Sequence, residues 1–193
     1  MGRQVRPTHT RSGITSVCHP KRMEVLRSSS IGSSKNSAMQ IETLDMPSRR
    51  LYCVRHVGPY PQIGQAFGRL EQLLEQLGAK PMAMLAVFHD DPHVTPADEL
   101  RSDAACELSE PPSSEEARLT EMTLPPGHFA RWIHRGPYAG LPQAWKSGFD
   151  AIRALGMQPV GICYEEYLND PCNTAPEALE TLIYQQVQTH SAK

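Results

Sequence analysis

The 193-residue chain lacks a C-x-x-C pair, a phosphate-cradling glycine loop, an apolar run of membrane length and any excess of positive charge. Its five cysteines (Cys18, Cys53, Cys106, Cys163, Cys172) are odd in number and irregularly spaced. That argues against a disulfide framework or a zinc site and points to a reducing compartment. No apolar block of signal-peptide type opens the chain, and no stretch approaches the roughly 20 residues of a spanning helix, so a soluble cytoplasmic protein without membrane partners is expected. His89 and His93 stand four apart in a Pro- and Asp-rich stretch with no helix to align them, which predicts no metal site. No motif calls for a cofactor.

Charge is distributed unevenly. Residues 1–38 hold seven Lys/Arg against the single acid Glu24, near +6, which leaves twelve bases and twenty acids in the remainder, near -8. A body this acidic is not built to neutralise phosphates, so the folded part is expected to bind no nucleic acid directly and to attract cations instead. The tail, with its SSSIGSSKNSA stretch and few apolar residues, is expected to be disordered. A basic arm that touches DNA or a partner is the alternative for it.

What the chain does contain is a repetition. HVGPY from His56 returns as HRGPY from His134, and a shift of seventy-eight residues also pairs Tyr60 with Tyr138, Gln65 with Gln143, Leu77 with Leu155, Gly78 with Gly156 and Pro81 with Pro159. Strand-like stretches at Ile41 to Leu44 and Arg49 to Val57 precede an amphipathic stripe of Ile63, Phe67, Leu70, Leu74 and Leu77, at helical spacing. MAMLAVF (Met82 to Phe88) and DAACEL (Asp103 to Leu108) follow as strands. SEPPSSEEA, from Ser109, reads as a linker. The plan then recurs with RLTEMTL, HFARWIH, a helix carrying Leu141, Trp145, Phe149, Ile152 and Leu155, then VGICYEEYL and LETLIYQQV. The expected architecture is α+β: a tandem pseudo-twofold duplication of a β-β-α-β-β unit, halves 39–108 and 117–188 joined by linker 109–116, within a domain spanning 39–193. An antiparallel sheet carries two helices on one face and a central ligand groove.

The halves differ most after their helices, where uncharged MAMLAVF faces VGICYEEYL with Glu165 and Glu166 in mid-strand. Neighbouring strand residues point to opposite faces. Val160, Ile162, Tyr164, Glu166 and Leu168 are bulky and suit the helix-covered side. Gly161, Cys163, Glu165 and Tyr167 form a hollow closed by a carboxylate beside a phenol, making Glu165 the pocket acid. Tyr60, Tyr138, Trp132, Trp145 and Tyr167 are available to line it, and aromatic faces attract desolvated cations. The plainer reading of Trp145 and Phe67 is helix core, and of Glu165 a solvent-facing strand acid. Gly58, Pro59, Gly136 and Pro137 are read as turn residues, not ligand contacts.

The doubled GPY-helix-LG-P unit, ending in P-x-G-x-x-YE-x-Y-x-NDP as Pro159 through Pro171, resembles the GyrI-like domains, the effector-binding domains of AraC-type regulators and of the DNA gyrase inhibitor. The resemblance covers residues 40–188. It implies a small-molecule-binding domain that senses or sequesters hydrophobic cations with a pocket glutamate, matching Glu165 with Tyr167 beside it. It also implies two alternatives. One is a hydrolase opening cyclopropane-containing genotoxic compounds, with Glu165 as general base and Tyr167 positioning the substrate. The other is a protein-binding module whose partner is gyrase or a transcription regulator. No recognition helix is found in residues 1–38, so transcriptional control would need a separate partner.

Overall fold

The computed structural model describes residues 39–112 and 118–189; the basic tail 1–38 and residues 113–116 of the linker lie outside the described residues. The first half runs β1 (Glu42–Met46), β2 (Arg49–Val57), α1 (Gly64–Leu77), β3 (Ala83–Phe88) and β4 (Arg101–Glu107). The second repeats it as β5 (Thr120–Leu124), β6 (Gly127–Arg135), α2 (Leu141–Ala154), β7 (Met157–Tyr167) and β8 (Glu180–Thr189). The strands form one eight-stranded antiparallel sheet in the order β1-β6-β8-β7-β3-β4-β2-β5. Exchanging each strand for its sister reverses that order onto itself, so a pseudo-twofold axis passes between β3 and β7.

The first strand of each half pairs in the other half: β1 borders β6, and β5 borders β2. β1 therefore lies at one edge of the sheet although only Pro47 and Ser48 join it to β2, next to the opposite edge. Three steps of 3.8 Å between α-carbons reach at most roughly 11 Å, so the sheet must curl until its edges approach. Pro125 and Pro126 make the same short crossing from β5 to β6. The inside of this curl is a core in its own right, with Leu51, Leu85, Val87, Phe129, Tyr164 and Tyr184 buried in it and Leu44, Met46 and Met122 of the edge strands packed against it.

Both helices lie on the other face. Leu70, Leu73 and Leu74 of α1 pack on Tyr52, Val54 and Ala104, while Leu141, Ala144 and Ile152 of α2 pack on Ala130, Trp132 and Ile183. The predicted stripe holds along most of each helix and fails at Leu155, which is 60% exposed beyond the end of α2. No described helix is long and apolar enough to cross a membrane.

The HxGPY elements are turn locks. Gly58 and Gly136 take φ of 132° and 121°, a region that favours glycine. Their N–H groups donate to the carbonyls of Leu100 and Leu179, at 2.8 and 2.9 Å. His56 and His134 place Nε2 3.2 and 3.0 Å from the carbonyls of Pro59 and Pro137, three residues on. The repeated histidine thus clamps its own turn at the mouth of each helix.

Candidate functional site

One correction concerns which side of β7 the helices cover. The bulky set around Tyr164 faces the inside of the curl, where Tyr164 stacks on Tyr184 with ring centroids 4.5 Å apart. The helices cover Glu165 and Tyr167. The expectation failed because the helix-free face is closed by the sheet's own curvature and needs the larger side chains. Glu166 also points to that inner side, where Arg49 Nη1 donates to it at 2.8 Å.

A second correction concerns Gly161. The register of β7 against β8 breaks between Pro159 and Cys163, and Gly161 sits in that irregularity with φ of 54°. From Pro159 to Cys163 β7 takes four steps while β8 takes two from Val187 to Gln185, so β7 carries two extra residues there. A Cβ at Gly161 would lie 2.2 Å from Oε1 of Gln186, so this glycine faces Gln186 and does not floor the Glu165 hollow. Compared with the first half, the chain is one residue longer across this stretch, which changes the offset between the halves from seventy-eight to seventy-nine. Leu100 and Leu179 then play the same role in their turns, and Asp91-Pro92 answers Asp170-Pro171.

With that offset, Glu165 is the sister of Ala86, and the two are direct partners across β3 and β7. Glu165 is 4% exposed. Trp145 Nε1, from α2, donates to its Oε1 at 2.6 Å, and the Tyr167 hydroxyl donates to its Oε2 at 2.7 Å. Burial pushes the carboxyl above the ordinary glutamate range, and the two donors pull it part of the way back. Tyr167 is held well above the ordinary tyrosine range, first by burial and then by the adjacent carboxylate.

Aromatic rings gather on both sides of this acid. Phe67 of α1 and Tyr138 each meet the Tyr167 ring edge-on at 5.4 Å. Phe88 meets Trp145 at 6.0 Å and Tyr60 at 4.9 Å. Burial, followed by the nearby Glu165 charge, raises Tyr138 to about 12. Tyr60 is anchored at its far end, its hydroxyl donating to the Asp90 carbonyl at 2.6 Å.

Of the residues singled out from sequence, Glu165, Tyr167, Trp145 and Tyr138 come together around the carboxylate, and Tyr60 holds the corresponding place in the first half. Cys163 lies on the same side of β7; burial raises its thiol to about 12, and Sγ is 3.9 Å from the Phe88 carbonyl. Trp132 stands one layer back. It is buried, its Nε1 donates to the Ala144 carbonyl at 3.2 Å, and its ring supports Trp145 edge-on at 5.4 Å. Phe67 and Phe88 are rings that the sequence reading did not place at the site. The seventy-nine-residue register of the two DP-containing loops makes Phe88 the sister of Tyr167, and the seventy-eight-residue shift makes Phe67 the sister of Trp145.

Residues 39–188 match the family described as GyrI-like small molecule binding domain. The chain belongs to that family. Among relatives, this GyrI-like chain is similar to DNA gyrase inhibitor 2 of Dickeya dadantii (strain 3937), with 33% identity over 148 residues covering 73% of this chain and 90% of the relative. Its fold is similar to the crystal structure of the EcmrR C-terminal domain, with a TM-score of 0.67 at 16% identity, covering 78% of this chain and 98% of that one. It is also similar to SAV2435 bound to tetraphenylphosphonium, with a TM-score of 0.55 at 16% identity over 78% of this chain and 94% of that one. At such identities the two structures speak for the shared fold alone.

Proposed function

We propose that this GyrI-like domain binds hydrophobic, positively charged small molecules between α1 and α2, with Glu165 as the counter-charge and the surrounding rings as walls. The observation that carries this reading is a carboxylate 4% exposed that, among the described residues, has no cationic side chain bonded to it and accepts its two hydrogen bonds from aromatic residues. A buried acid in that setting either keeps a proton or accepts a cation. The rings beside it offer faces that favour a desolvated cation. The tetraphenylphosphonium held by SAV2435, a protein of the same fold, is a ligand of the expected chemistry.

Binding accounts for the geometry better than hydrolysis does. A general base must also hold a water in line with the substrate, whereas binding asks only for the buried carboxylate and the rings that surround it. A protein partner, suggested by the name of the Dickeya relative, would use the outer surface and be indifferent to Glu165.

Thermal unfolding with and without ligand tests the proposal, because a molecule bound only by the folded state raises the midpoint. Tetraphenylphosphonium should raise it, and neutral triphenylphosphine oxide should not. No shift with the cation, or the same shift with both, would overturn the reading.

A further inference from the structure

The rings around Glu165 form two clusters that are copies of each other. In one, Phe88 lies between Tyr60 and Trp145, at 4.9 and 6.0 Å. In the other, Tyr167 lies between Tyr138 and Phe67, at 5.4 Å from each. The sister relation converts one into the other, Tyr60 to Tyr138, Phe88 to Tyr167 and Trp145 to Phe67. Each cluster is therefore composite, with two rings from one half and the third from the helix of the other half.

The carboxylate stands between them. Glu165 faces Ala86 at the pseudo-twofold axis, and its two oxygens are divided, Oε1 accepting from Trp145 of the first cluster and Oε2 from Tyr167 of the second. Because the sister position is a methyl group, a single negative charge serves both clusters. A ligand with one ring would fill one of them and leave the other unused.

Building on the proposed cation-binding reading, we infer that the preferred occupant is a monocation carrying two aromatic arms, one on each side of its charge. Its positive centre sits over the axis at Glu165, and one arm enters each cluster. The rings already in contact move apart to admit the arms, and the weak edge-to-face pairing within each cluster is replaced by pairing with the ligand.

The test compares three ammonium ions on the full chain by calorimetry: dibenzyldimethylammonium, benzyl(cyclohexylmethyl)dimethylammonium and benzyltrimethylammonium. The first two match in charge and size and differ in one ring being aromatic. The dibenzyl ion should bind about tenfold more tightly than the cyclohexyl one, the scale of one ring engaged with a desolvated cation. Phe88→Leu and Tyr138→Leu, one in each cluster, should each remove that advantage and weaken the dibenzyl ion by a larger factor than benzyltrimethylammonium. Equal binding of the dibenzyl and cyclohexyl ions, with both lost in Glu165→Gln, would overturn the two-armed inference and leave the cation-binding reading standing. Failure of the parent chain to bind any of the three would overturn both.

Discussion

Ala86 and Glu165 are partners across the two central strands and sisters in the duplication, so the place where the halves meet is also where they differ in charge. The two groups that donate to Glu165 are also departures from the sister half. Trp145 stands where the first half has Phe67, and Tyr167 where it has Phe88. Three differences in the duplicated scaffold thus make up one device, an acid and the two donors that hold it.

Glu165 should make the protein less stable as pH rises. Its folded-state proton affinity is raised by burial, so above the ordinary glutamate value of 4.5 the folded chain binds more protons than the unfolded one. Stability then falls with rising pH until the folded-state titration is complete. Urea unfolding from pH 4 to 9 should show this decline in the parent. In Glu165→Gln the slope should be absent, because Gln still accepts from Trp145 and the Tyr167 hydroxyl can turn to accept from its amide.

Trp145→Phe and Tyr167→Phe each restore the sister residue and remove one donor from the carboxylate. Both donors favour the charged form, so each variant should shift the Glu165 titration upward. The double variant should shift it further than either alone. Carbon NMR of the labelled glutamate carboxyl reads the shift directly, and an unchanged titration would show that the two hydrogen bonds do not hold the carboxylate.

Asp103 should show the opposite sign. Its carboxyl is fully buried, and although burial works to raise its titration, hydrogen bonds from His89 and Arg55 outweigh it, at 2.6 Å from each. A lowered folded-state value supplies stability above the ordinary 3.8 that is lost as the pH falls below it. Asp103→Asn should cost about 1–3 kcal/mol at neutral pH, since Arg55 is half exposed and part of its charge is met by water. The cost should shrink in acid, as measured by urea unfolding at pH 7 and pH 3.

Arg49 joins the halves on the inner face of the curl. It donates to Glu107 of its own half and to Glu166 of the other, both at 2.8 Å. Arg49→Met should destabilise by about 1–3 kcal/mol, less than for a fully buried pair because both acids retain some solvent. Cation affinity should change by less than about twofold. A large loss of affinity with unchanged stability would place Arg49 in the binding machinery instead.

The duplication, the order of elements and the helix faces were legible because Gly58 and Gly136 impose the same turn on both halves and because Leu70, Leu74 and Ile152 repeat at helical spacing. The acid at the site was legible as the strand residue without a charged sister. The side of the sheet it faces was not, since local bulk at Tyr164 and Ile162 says nothing of whether a face is closed by a helix or by the sheet's own curvature. That curvature follows from crossings as short as Pro47-Ser48, whose effect depends on which strands pair. Phe88 stayed hidden because the offset between the halves changes from seventy-eight to seventy-nine before it aligns with Tyr167, and Phe67, although aligned with Trp145, gave no sign that its ring reaches Tyr167 of the other half.

The most direct measurement is a calorimetric titration of the parent chain and of Glu165→Gln with tetraphenylphosphonium at pH 7. Loss of a buried counter-charge should weaken binding by about tenfold or more, the scale of a partly desolvated ion pair. Equal affinity in the two proteins, with both still folded, would contradict the claim that this one carboxylate supplies the charge that the site presents to its ligand.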